Sequence, residues 1–207
     1  MLQQVDEVIN ESLTSPKLHI DDKILELLNH SCTLSFNFQK LTHLFDYQKD
    51  VSVFICDSFE SLRNCSQNER LPDWVIGCNR ENKIFVLNPQ IWKTINITSF
   101  EKVIIHEMTH VMINEVICDC PLWLNEGFAL WYAGQIQEFK LEDVKFSNPY
   151  NLDYNKNIYA QSALVIKKLF EFYPETYLLK ALLNSTKWEN NKVFGLKALE
   201  KLFFTKD

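Results

Sequence analysis

Two of the five histidines in this 207-residue chain, His106 and His110, stand four residues apart, and Glu107 directly follows the first in the string "HEMTH". On a helix, side chains four apart lie on one face about one turn from each other, so two imidazoles can reach a single cation. Glu107, one position on, projects to the side of that pair. It is placed to hold a water beside the ion and take its proton rather than to ligate. Metal-assisted hydrolysis is the chemistry such a group suits, with zinc as the ion. A catalytic zinc takes three protein ligands and keeps one position open, so a third ligand is needed. No histidine follows His110, which excludes a later histidine as that ligand. Glu126 begins the next predicted helix; Asp119, on a loop, and Glu115, on another helical face, compete with it.

The elements around these residues follow from pattern. Thr98 and Glu101 form a capping-box signal, and "FEKVIIHEMTHVMINEVI" then runs without glycine or proline to Ile117, which predicts one long helix. "CDCP" interrupts it. "LNEGFALWYAGQIQEF" predicts a second helix that tolerates Gly127 and Gly134. Upstream, "VSVFIC" reads as a strand, with Asp57 or Ser58 capping a short helix "FESLRN". "DWVIGC" and "KIFVLN", separated by "NREN", read as a β-hairpin ended by Asn88-Pro89. After a polar loop over residues 145–157, "IYAQSALVIKKLFEF", "PETYLLKALLN" and "VFGLKALEKLFF" predict three more helices. The first fifty residues mix a helix-like stretch at 20–29 with the ambiguous "CTLSFNFQKLTHLF". Strands early and helices late predict an α+β fold, with a small antiparallel or mixed sheet and a helical C-terminal lobe. One domain spans 1–207: an extension (1–50), a sheet region (51–97), the zinc-site helices (98–139) and C-terminal helices (156–207).

"HEMTH" followed by "PLWLNEGFALWY" resembles the gluzincin metallopeptidases, both the aminopeptidases with a W-L-N-E-G-F-A segment and the smaller peptidase MA-like proteins. The resemblance covers about residues 71–183. It implies that His106, His110 and Glu126 bind one Zn2+ and that Glu107 is the general base. It also implies a zincin-like, thermolysin-like fold in which "KIFVLN" forms a sheet edge that an extended peptide joins as an added strand. Only fifteen residues separate His110 from Glu126, and no G-x-M-E-N-type segment precedes the motif, so the MA-like group is the nearer match. For the oxyanion a tyrosine is expected, first Tyr159 in the "Y-x-Q-S" helix, with Tyr154, Tyr150 and Tyr132 as alternatives. A carboxylate four residues past Glu126 would orient a ligating histidine, but Leu130 stands there. Asp119, Asp153 or a backbone carbonyl are the candidates for that task.

Composition bounds the rest. A formal net charge of -6 argues against a nucleic-acid partner, and the resemblance to metallopeptidases implies a peptide or protein substrate. No apolar run approaches the roughly 18 residues of a membrane span. The N-terminal stretch has acids at Asp6, Glu7 and Glu11 and no secretory pattern, from which a cytoplasmic location is expected. The six cysteines are expected to be free thiols, Cys118 and Cys120 included. Trp123, Phe128, Trp131 and Tyr132 are expected in the core, Glu138, Glu142 and Asp143 on a solvated face, and no metal role is expected for His19, His30 or His43. The rival to a zinc peptidase is a catalytically silent zinc-binding regulatory or peptide-binding scaffold domain, which has no need of Glu107.

Overall fold

The structure, a computed structural model, describes residues 15–28, 32–92, 98–154 and 156–204. The N-terminal acids, His30 and the end of the predicted 20–29 helix lie outside them. In chain order the elements are β1 (Leu18–Ile20), α1 (Asp22–Leu27), α2 (Thr33–Phe45), β2 (Val51–Cys56), α3 (Phe59–Ser66), β3 (Gly77–Arg80), β4 (Lys83–Leu87), α4 (Pro89–Trp92), α5 (Phe100–Val116), α6 (Leu122–Tyr132), α7 (Lys156–Phe172), α8 (Glu175–Leu183) and α9 (Leu196–Phe204). The class is α+β.

The sheet is mixed, in the order β1-β2-β4-β3. β1, β2 and β4 run parallel, and β3 pairs antiparallel with β4 across the turn at Glu81-Asn82. The hairpin is therefore present, but its first strand is Gly77–Arg80 instead of "DWVIGC", with Asn79 and Arg80 of the expected connection paired in the ladder, and the expectation that "KIFVLN" forms the edge is wrong. Ile84, Val86 and Leu87 are wholly buried and hydrogen-bond on both sides, as a continuous apolar run requires. The edge belongs to the polar β3. Its Gly77 and Asn79 meet α5, while the intervening Cys78 approaches Ser66 of α3 on the other face.

α5 is apolar on almost every side because β3, β4, α2 and α6 enclose it. Its cap is Ser99, whose side chain accepts the Lys102 N–H, one residue later than the Thr98 cap expected from sequence. α2, formed by the ambiguous "TLSFNFQKLTHLF", supplies Leu34, Phe38, Leu41 and Phe45 to the core. Ser58 caps α3 through the Ser61 N–H. After α5, Asp119 turns the chain in the left-handed region (φ 53°), and α6 folds back against α5. α6 ends at Tyr132, and Gly134 at φ 66° terminates the helix instead of continuing it. α7 packs against α6, and Trp131 stacks on Phe170 at 3.9 Å. No helix among the described residues is long and apolar enough to cross a membrane.

Candidate metal centre

Enclosure of α5 makes its polar side chains conspicuous. His106, Glu107 and His110 are 8%, 7% and 8% exposed, and Glu126, carried back by α6, is 4% exposed. His106 Nε2 and His110 Nε2 lie 3.0 Å apart. Glu126 Oε2 lies 3.3 Å from the first and 3.6 Å from the second.

The outer nitrogens determine what the inner ones can do. His106 Nδ1–H donates to Gln135 Oε1 and His110 Nδ1–H donates to Asn125 Oδ1, each at 2.8 Å. With protons on both Nδ1 atoms, the two Nε2 atoms of neutral rings present lone pairs to each other and to a carboxylate oxygen that no hydrogen-bond donor satisfies. Three buried lone pairs at such spacing repel unless a cation lies among them. Ligand bonds of 2.0–2.1 Å in a tetrahedron put neighbouring ligand atoms about 3.3 Å apart, which is the spacing here. His106, His110 and Glu126 therefore fit a metal ion, and no other His, Cys, Asp or Glu group among the described residues does.

Without an ion, a proton takes that place. Burial lowers the His110 pKa, but the Glu126 carboxylate beside it outweighs this and raises it to about 9. Burial acts to raise the Glu126 pKa, and the histidines overcome it, holding the carboxyl well below the usual range.

Glu107 stands beside the group without joining it. Asn79 Nδ2 of the edge strand donates to its Oε2 at 2.9 Å. Gly77, two residues earlier, lets α5 approach: a Cβ there would lie 2.8 Å from Val103 Cγ1 and 3.1 Å from both Cγ and Oε1 of Glu107.

A cleft of about 960 Å³ opens over these residues. No family model matches the chain, and no curated protein matches it significantly. The site is defined by its own geometry. Tyr159 and Tyr154 both line the cleft, with hydroxyls 3.2 Å apart and Trp74 against both rings. Burial raises both phenol pKa values, that of Tyr154 to about 12. Tyr150 and Tyr132 are elsewhere: the Tyr150 hydroxyl donates to Phe194 O, and Tyr132 packs among Phe45 and Phe128. Trp123 and Phe128 are in the core as expected. Glu115 pairs with Lys49, and Asp119, Asp153 and Cys118 are exposed away from the group, so none supplies a ligand or supports one.

The partners of the histidines differ from every candidate named from sequence. They are two side-chain amides, and each is held in turn. Asn125 Nδ2 donates to Asn114 Oδ1 at 2.8 Å. Gln135 Nε2 donates to Thr98 Oγ1 at 2.9 Å. Asn125 precedes Glu126 by one residue, a signal open to reading; Gln135 is brought into place by the Gly134 turn, where its N–H closes on Leu130 O at 2.9 Å. Glu138 is not on a solvated face either: it lines the cleft, accepting from Lys102 Nζ at 2.7 Å and Thr98 Oγ1 at 3.2 Å.

Proposed function

We propose that this protein is a zinc-dependent peptidase of the gluzincin type with a zincin-like fold. The observation that carries this is the convergence of three buried lone pairs on one point, with a second carboxyl group, Glu107, held beside that point at the floor of an open cleft. His106, His110 and Glu126 would hold the ion. Bound zinc supplies Lewis acidity, polarising a carbonyl and making a water acidic near neutral pH.

The remaining work falls to the chain's own groups. Glu107 takes a proton from water and delivers it to the leaving amine; Asn79 fixes one of its oxygens and leaves the other for the water. A Tyr159 or Tyr154 hydroxyl donates to the oxyanion. β3, an edge strand of the sheet, offers main-chain groups to an extended peptide.

Two measurements test the proposal. Elemental analysis is expected to find about one zinc per chain, lost in Glu126→Ala. Glu107→Gln is expected to keep the zinc and lose hydrolysis. Undiminished turnover in Glu107→Gln refutes the mechanism, and bound zinc without turnover in the wild type favours the scaffold alternative.

A further inference from the structure

A neutral amide leaves a ligating histidine with a choice that a carboxylate would not. Gln135 can present Oε1 or Nε2 to His106 Nδ1, and the two orientations have opposite consequences. Oε1 toward the ring requires Nδ1–H and frees Nε2 as a ligand. Nε2 toward the ring requires a lone pair on Nδ1 and moves the proton to Nε2, which blocks the ligand position.

The groups beyond Gln135 make that choice. Lys102 Nζ pairs with Glu138 Oε1 at 2.7 Å and holds this carboxylate in place. A carboxylate only accepts, so the Thr98 hydroxyl, 3.2 Å away, must donate to it. Thr98 Oγ1 then faces Gln135 as an acceptor and takes the Nε2–H at 2.9 Å. A reversed Gln135 would set its oxygen against an oxygen whose proton points elsewhere. Gln135 and Thr98 are each 8% exposed, so water gives little relief.

We infer that Thr98 and Glu138, neither touching the ion, are positioning residues that fix the Gln135 amide and thereby hold His106 as an Nε2 ligand. The inference rests on the metal-site reading for its effect on affinity, but not for its effect on the histidine itself. Loss of an outer partner of a ligating histidine typically weakens metal binding about 10–100-fold.

The test measures zinc affinity by chelator competition, together with hydrogen exchange of the His106 Nδ1 proton by NMR in the metal-free protein. Thr98→Val is expected to weaken zinc binding within that range and to speed the exchange. Thr98→Ser, which keeps the hydroxyl, is expected to restore both. Glu138→Ala, which removes the acceptor of the Thr98 hydroxyl, is expected to cause a smaller change in the same direction. Wild-type affinity and exchange in both Thr98→Val and Glu138→Ala overturn the inference even if the protein binds zinc. A wild-type protein that binds no zinc overturns the metal proposal, and the exchange comparison then decides the positioning role alone.

Discussion

Replacing Gly77 with alanine tests whether the contact between β3 and α5 positions Glu107. The added Cβ would sit 2.8 Å from Val103 Cγ1 and 3.1 Å from Glu107 Cγ and Oε1. Ordinary contact needs about 3.5 Å, so α5 and the strand must part by about 0.7 Å. Val103 cannot turn aside, since a β-branched side chain in a helix has one favoured rotamer and this one is buried. Overpacking of this kind costs about 1–3 kcal/mol, against a gain of about 0.5 kcal/mol from a stiffer unfolded chain. The net loss of about 0.5–2.5 kcal/mol lowers the melting temperature by about 1–10 °C in a chain of this length. Displacing a base by most of an ångström can cost about 10²-fold in turnover. The assays are urea unfolding, zinc content and kcat on one peptide. Expected are reduced stability, unchanged zinc and a lowered kcat. Stability and kcat both equal to the wild type would refute the claim that Gly77 sets the position of Glu107.

Two further outcomes follow from the site. His110 in the metal-free protein has its pKa raised to about 9 by Glu126 against the opposing effect of burial, so its stabilisation is complete below about pH 6.5 and fades as pH rises through 9. The urea midpoint of metal-free protein should therefore be lower at pH 9.5 than at pH 6, and Glu126→Gln should remove most of that difference; a flat profile in the wild type contradicts the pairing. Tyr159→Phe should keep the zinc and lower kcat by about 10²-fold with little change in KM, and Tyr154→Phe should do less. The reverse order would assign the oxyanion contact to Tyr154.

What the sequence by itself determined lies within single helices. A spacing of four is one helical turn, so His106 and His110 share a face wherever the helix packs, and Glu107 must stand beside them. The apolar run "KIFVLN" likewise marked the second strand of the hairpin, whereas "DWVIGC" set the first too early, and Ser58 was already one of two candidate caps for α3. The tertiary structure alone decided what those side chains meet. Strand order is a matter of long-range pairing, so nothing local could reveal that "KIFVL" is interior and "GCNR" is the edge facing Glu107. The cap shifted from Thr98 to Ser99 as Thr98 joined a network reaching Glu138 across forty residues. Gln135 and Asn125 displaced the carboxylates sought from sequence, because a histidine needs only an acceptor at the right place. Which side chain arrives there depends on how α6 and the Gly134 turn fold back over α5.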